Sequence, residues 1–416
     1  METADQGVDD PERPAEPILL QEPADGTPPV IGDPAELAIA CEKLAAGSGA
    51  IAVDTERASG YRYWPKAYLV QLRREGAGSV LVDPIALAGQ LEPLRQAIND
   101  QEWVLHAASQ DLPCLGELDL RPVSLFDTEL AGRLAGYERV GLGTLVERLL
   151  GYQLEKGHSA ADWSKRPLPV DWLNYAALDV ELLVPLREKL EAELAAQGKL
   201  EWARQEFEAV RTAPAPTPRA EPWRRVSGIH KVRTARGLAA VRALWEARDE
   251  LARKRDRAPS RVLPDSAIVN AVLAEPKNVA ELQALPVFSG RVQRRHAAQW
   301  FRHLEAARAL PREALPNPSQ PNDGPAPANR WADKDPDAAA RLAAARAALN
   351  KIAEHHQLPV ENLLLPDLLR RTCWRPPEDK SQDSVAEVLR AGGARPWQIE
   401  LTAEELAAAL RSTAAK

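Results

Sequence analysis

The fold class predicted by the sequence is a mixed α/β sheet domain over residues 28–205, followed by two small all-α domains over 230–310 and 335–416. Three observations predict it. Short apolar runs bounded by turn residues crowd the stretch from residue 50 to 106, helical periodicity dominates afterwards, and two proline-rich connectors cut the helical part into pieces. The connectors are 206–229, which includes APAPTPRAEP at 213–222, and 311–334.

Residues 1–27 are rich in Pro, Asp and Glu and have the composition of a disordered acidic tail, with one apolar patch at 18–20. Asp33-Pro34 reads as an N-cap and first helical residue, opening a helix to about residue 46. Strands follow at 50–54, 67–72 and 79–82, then a helix near 85–98 and a strand at 103–106. Beyond that the chain reads as helical, with its longest element at 171–196. The two helical domains each carry a Leu-Pro-Asp breaker before a helix, at Leu263-Pro264-Asp265 and Leu365-Pro366-Asp367, which suggests one duplicated module.

Hydrophobic residues make up 45% and charged residues 27% of the 416, an ordinary balance for a water-soluble fold. No apolar run approaches the roughly 20 residues of a membrane helix, so no membrane partner is expected. The acidic start lacks the basic and apolar stretches of a secretion signal, and Cys41, Cys114 and Cys373 form no Cys-x-x-Cys pair. A cytoplasmic protein with reduced thiols is expected. The net charge of −7 argues against a nucleic-acid partner until its distribution is read. Residues 1–35 hold nine Asp/Glu against one Arg, whereas 221–310 hold eighteen Lys/Arg against nine Asp/Glu.

The chemistry is carried by acids. Asp54-Thr55-Glu56 ends the first strand of the sheet domain, and i, i+2 side chains share one face of a strand. Alone, such a pair is most often a polar strand exit. Asp111 follows the strand at 103–106, where Ser109 is placed to cap a helix with Asp111 in its first turn. Tyr175 and Asp179 are four residues apart on the longest helix and stack on one face. Four converging carboxylates repel one another unless cations intervene, and an all-oxygen set favours hard divalent ions, Mg²⁺ or Mn²⁺. Two such ions can activate a water and neutralise a leaving 3′-oxygen. No histidine occupies the place of Tyr175, which would orient or help deprotonate that water.

These residues resemble the DEDDy group of 3′→5′ exonucleases. The flanking stretches Glu56-Arg-Ala-Ser-Gly-Tyr-Arg-Tyr63, Ala67-Tyr-Leu-Val-Gln-Leu72 and Asp162-Trp-Ser-Lys-Arg-Pro-Leu168 resemble ribonuclease D, over about residues 28–205. The resemblance implies a ribonuclease H-like exonuclease fold, two metal ions, and release of nucleoside 5′-monophosphates from RNA 3′ ends. Carried over residue by residue, it implies Asp54, Glu56 and Asp179 on the tighter ion, with Asp54 bridging to a second ion that Asp111 holds. His106 and Gln71 are candidates near the nucleotide, and Lys165 and Arg166 for phosphate contact or loop anchoring. The family expectation for substrate is a transfer-RNA precursor or another structured RNA with a free 3′ end. A DNA exonuclease and a non-catalytic RNA-binding scaffold are the competing readings, the second opposed by the complete acid set.

The helix around Trp245–Arg257 resembles the helicase and ribonuclease D C-terminal (HRDC) domain. Arg253, Lys254 and Arg255, with Arg294 and Arg295, form its candidate RNA-binding patch. The last helical segment is near charge balance. It reads as a diverged second copy that packs against the exonuclease, with Trp374 and Trp397 in its core.

Overall fold

The computed structural model describes residues 16–412 apart from 156, 159, 216, 218 and 319–323. Eight strands are present among them: β1 (Ile18–Leu20), β2 (Val30–Ile31), β3 (Ser48–Arg57), β4 (Ala67–Glu75), β5 (Gly78–Val82), β6 (Glu102–Leu105), β7 (Ser124–Asp127) and β8 (Tyr152–Leu154). Six of them form one mixed sheet in the order β2-β5-β4-β3-β6-β7, while β1 pairs with β8 alone. The hairpin partners β3, β4 and β5 run antiparallel, and β6 and β7 add in parallel to the other edge of β3. β3 is thus central, with its C-terminal end pointing out of a sheet covered on both faces.

The helices of the sheet domain are α1 (Pro34–Ala46), α2 (Glu92–Ile98), α3 (Leu112–Gly116), α4 (Thr128–Ala135), α5 (Leu142–Leu150), α6 (Val170–Glu181), α7 (Leu183–Ala196) and α8 (Leu200–Arg211). The Asp33 carboxylate caps α1 by accepting from the Ala35 and Glu36 N–H groups, and Pro34 stands in its first turn. The single helix expected over 171–196 is two, α6 and α7, separated at Leu182. Pro185 lacks the N–H that would continue the ladder onto Glu181, so the run breaks there.

Three further expectations are corrected. The 85–98 helix begins only at Glu92, because the Asp83 carboxylate draws the Ile85 and Ala86 N–H groups into a turn. Within the expected disordered tail, β1 pairs with β8 and Ala24 N–H donates to Glu181, so residues 16–27 are ordered; residues 1–15 lie outside the described residues. The expected boundaries at 205, 230 and 335 also move. α8 runs to Arg211, Trp223 is buried in the core of the first helical domain, and Trp331 is buried in that of the second.

The first helical domain consists of α9 (Ala235–Arg255), α10 (Pro259–Val262), α11 (Asp265–Ala274), α12 (Val279–Ala284) and α13 (Arg291–Arg308). The second holds α14 (Trp331–Lys334), α15 (Pro336–His355), α16 (Val360–Leu363), α17 (Pro366–Trp374), α18 (Gln382–Ala391) and α19 (Pro396–Ser412). In both, a short one-turn helix and the Leu-Pro-Asp breaker precede the next long helix. No helix among the described residues is long and apolar enough to cross a membrane.

Candidate active site

The end of β3 supplies the first two acids. Register pairs Asp54 with Gln71 and Glu56 with Leu69 on β4, so Asp54 and Glu56 point to the face of the sheet on which α6 lies. α6 is seated there by Leu173, Ala176 and Ala177 packing on Leu69 and Leu81. That seating carries Tyr175 and Asp179 to the same place. The spacing of one turn sets the Tyr175 hydroxyl beside the Asp179 carboxylate, close enough to oppose the rise of that carboxyl.

Asp111 arrives from the other side. After β6 the chain turns through Ala107, whose φ of 58° is left-handed, into a short 3₁₀ turn, Ala108–Gln110. A non-glycine residue holds that conformation only when its surroundings impose it. Here the buried Asp127 carboxylate accepts from the N–H groups of Ala107 and Ala108 and also caps α4 through Glu129 and Leu130. Ser109 is not the cap that the sequence suggests; Asp111 itself stands at the N-terminus of α3 and makes no side-chain cap. Its carboxylate instead accepts from the Thr55 hydroxyl at 2.8 Å.

The four acids, Tyr175 and His106 line one cleft of about 670 Å³. Burial is the first cause of every shift there. It raises the Asp54 carboxyl well above its ordinary range, with Asp111 and Asp179 adding repulsion. Glu56 is pushed to about 10 by burial and then by the neighbouring acids, and Asp179 to about 7 by burial, opposed by the Tyr175 hydroxyl. Asp111 is raised too, opposed by Thr55 and Arg57. Tyr175 is held protonated by burial and by the Asp179 and Glu56 charges. His106 drops to about 4 through burial, so its imidazole is neutral. Repulsion of this kind is relieved by cations, and the donor set is entirely oxygen. Among the described residues no three His, Cys, Asp or Glu side chains close into a finished coordination sphere.

The other sequence candidates separate. Gln71 is fully buried, does not line the cleft, and has no hydrogen-bond partner for either amide atom among the described residues; it stands across the β3–β4 ladder from Asp54. Arg166 is spent on the Asp83 carboxylate and the Tyr68 and Trp163 carbonyls, which makes it a loop anchor, and Lys165 is exposed outside the cleft. On α9, Arg253 pairs with Asp249 and lies over the Tyr63 ring, and Arg255 meets His296. Lys254, Arg294 and Arg295 are exposed. Sequence reasoning passed over Thr55 and Asp127, which place Asp111, Arg57, whose guanidinium lies 3.6 Å from its carboxylate, and His158, whose ring stands edge-on to Tyr175. Only Arg57 carried a signal, by adjoining the Asp-x-Glu pair.

Comparison with known proteins matches each part of the chain to a family. Residues 28–195 match the 3′-5′ exonuclease family, 237–304 the HRDC domain, and 324–410 the 3′ to 5′ exonuclease C-terminal domain. The chain is 30% identical over 378 residues to ribonuclease D of Escherichia coli, covering 89% of this chain and 95% of that protein. The chain belongs to the ribonuclease D family. It is 33% identical over 288 residues to the ribonuclease D of Gluconacetobacter diazotrophicus, covering 67% of this chain and 71% of that one. The crystal structure of E. coli RNase D superposes with a TM-score of 0.67 at 28% identity, covering 92% and 98% of the two chains. A protein from Bifidobacterium adolescentis superposes with a TM-score of 0.88 at 40% identity, covering 95% and 100%. As a ribonuclease D, the protein is a 3′→5′ exoribonuclease, and its substrates are RNA.

Proposed function

We propose that Asp54, Glu56, Asp111 and Asp179 hold two divalent ions, Mg²⁺ or Mn²⁺, and that the cleft they line removes 3′-terminal nucleotides as 5′-monophosphates. The convergence of four buried carboxylates and one phenol on one cleft carries this reading. When bound, the ions would activate water and neutralise charge on the phosphate and leaving oxygen. Asp54, Glu56 and Asp179 would hold one ion, and Asp54 and Asp111 would serve the second. Tyr175 would orient the attacking water by hydrogen bonding or help deprotonate it. Gln71 acts from behind, its buried amide available to the Asp54 carboxylate.

His106 reads the terminal ribose. The Thr128 hydroxyl donates to the Leu105 carbonyl, so its oxygen accepts from Nδ1–H of His106. That leaves Nε2 as an acceptor on the cleft side, suited to a sugar hydroxyl. Lys254, Arg294 and Arg295 give the HRDC domain its hold on RNA phosphates farther from the 3′ end. The E. coli relative is described as an exoribonuclease involved in structured RNA processing. Structured RNA with a free 3′ end, such as a transfer-RNA precursor in the cytoplasm, fits the basic module beyond the cleft.

Labelled RNA and DNA oligomers incubated with Mg²⁺, Mn²⁺ or EDTA test this. Expected are single-nucleotide shortening from the 3′ end of RNA, no cleavage in EDTA, and a loss of several orders of magnitude in Asp54→Asn and Asp179→Asn. Near-normal rates in either variant at saturating Mn²⁺ would sink the assignment.

A further inference from the structure

Among the described residues that line the cleft, Arg57 is the one lysine or arginine. Every other charged group there is a carboxylate, and His106 is neutral. An RNA 3′ end brings more negative charge into that space.

Arg57 is built into the site from two sides. It is two residues beyond Thr55 on β3, so the two share a face, the one turned toward Asp111. The β3–β4 ladder shifts between Glu56 and Arg57, but the extra residue, Tyr68, lies on β4, so the alternation along β3 runs on to Arg57. The guanidinium is then tethered by one edge, Nη1 donating to the Gln110 carbonyl, while Nη2 reaches the Gln110 side-chain oxygen only at 3.5 Å. Nη2 is 3.6 Å from Oδ1 of Asp111, too far for a hydrogen bond, and that oxygen already accepts from Thr55 at 2.8 Å. The side chain remains 29% exposed. Arg57 is therefore held at the acids without being committed to one of them. A planar fork in that position matches two oxygens of a phosphate group.

We propose that Arg57 is a further substrate-contacting residue, whose guanidinium takes the non-bridging oxygens of the phosphate linking the last two nucleotides of the RNA. The proposal rests on the carboxylate cleft being where that phosphate lies. Arg57 then contributes a positive charge that does not depend on ion loading. The competing account is a strut: Arg57 merely holds the Ala108–Gln110 turn so that Asp111 stays in place.

The experiment compares two short RNAs, identical except that one carries an uncharged methylphosphonate at its 3′-terminal linkage. Their dissociation constants are measured with the full-length protein in Ca²⁺, used to prevent cleavage. Wild type is expected to prefer the charged linkage, and Arg57→Gln to lose about tenfold of that preference, the size of one charge-assisted hydrogen-bonded contact. Mn²⁺ binding to the RNA-free variant should be equal or tighter, since a positive charge has left a site of four acids. An unchanged preference overturns the proposal, as does a reduced preference accompanied by weakened Mn²⁺ binding, which marks the strut. Should Arg57→Gln fail to fold, Arg57→Lys is measured the same way and must lower the preference by a smaller factor; no change there also overturns it. The carboxylate reading fails separately, through Mn²⁺ binding that survives in Asp54→Asn.

Discussion

The two helical domains of this ribonuclease D are built alike and attached differently. The second shares one continuous apolar core with the exonuclease: Trp331, Leu342, Leu349 and Leu406 belong to the same cluster as Leu44, Ile51 and Leu186. Its joint with α8 is closed by Trp397, which stacks on Trp202 with ring centroids 5.1 Å apart and donates to Glu206. Arg395 also pairs with Glu206 at 2.5 Å. The HRDC domain has its own core, touched from the exonuclease side by Tyr63 alone among the described residues. Its attachment is mostly polar: the Tyr63 hydroxyl donates to Asp249, the Tyr63 and Trp64 N–H groups to Asp256, and Arg261 to the Gly60 carbonyl while lying over the Tyr61 ring. An apolar joint excludes water and makes two domains one folding unit, whereas a polar joint exchanges protein contacts for water at little net cost. The near-neutral module thus extends the catalytic body, and the basic one is latched beside its mouth.

The largest test removes the centre of each core. Trp397→Ala should cost about 3–5 kcal/mol and lower the stability of exonuclease and C-terminal module together, with cleavage lost in step. Trp300→Ala, equally buried but in the HRDC core, should cost a similar amount locally and leave cleavage of a short oligomer intact. Denaturation followed by hydrogen exchange reads both. If Trp300→Ala unfolds the exonuclease sheet, the two cores are one unit and the contrast is lost.

Acidity sharpens the same contrast, because only one of the two units contains the acid cluster. In metal-free protein the Asp179 and Glu56 carboxyls have folded-state pKa values, about 7 and about 10, above their unfolded ones. The folded state therefore binds more protons between those values, and the stability this contributes is whole below about pH 4 and is lost as pH rises through 7 and on toward 10. In EDTA the melting of the exonuclease unit should fall over that window while the HRDC transition does not follow, and Asp179→Asn should flatten the first part of the fall. A melting temperature that rises from pH 5 to 8 in EDTA would contradict the burial of these acids.

A smaller effect is expected at the latch. Asp256 accepts from two backbone N–H groups of the segment that continues from Ser59 and Gly60, both of which line the cleft. Asp256→Ala should cost about 1–2 kcal/mol of attachment. It should also speed amide exchange at Tyr63 and Trp64 and reduce kcat a few-fold. Unchanged exchange at those two amides would mean that the latch does not hold the rim.

What the sequence disclosed follows from the range of the forces involved. Asp54 with Glu56, and Tyr175 with Asp179, are set by the periods of a strand and a helix, and both pairs converge as read. Asp111 was legible as an acid after a strand, but its placement depends on Asp127 and Thr55, which no local pattern connects to it. Arg166 read as either a phosphate contact or a loop anchor, and the choice stayed open because its partner Asp83 lies 83 residues away. β7 and β8, of four and three residues, went unread, as did β1, hidden in an acidic, proline-rich stretch. The independence of the two helical domains was read from their linkers; that one of them shares the catalytic core was suggested only by its missing basic charge.

The finest prediction concerns that charge. Arg294 and Arg295 project from α13 and Lys254 from the end of α9, all exposed, whereas Arg253 is occupied by Asp249 and Tyr63. Removing one phosphate-binding cation should flatten the log affinity versus log salt plot by roughly 0.7 to 0.9, because one counterion fewer is released when the RNA binds. Reversal of Lys254, Arg294 and Arg295 to Glu should therefore flatten the slope by up to about 2 to 3 in total, with a longer structured RNA affected and a trinucleotide not. Arg253→Glu should act differently, loosening the latch through repulsion from Asp249 and showing its effect on kcat. Reversal of Arg390 and Arg411 on the C-terminal module serves as the matched control and should leave the slope unchanged. The readout is binding in Ca²⁺ across a salt series with catalytically dead Asp54→Asn. Equal flattening by both sets would give the two helical domains the same role toward RNA, and the division between an apolar extension and a basic latch would then describe folding alone.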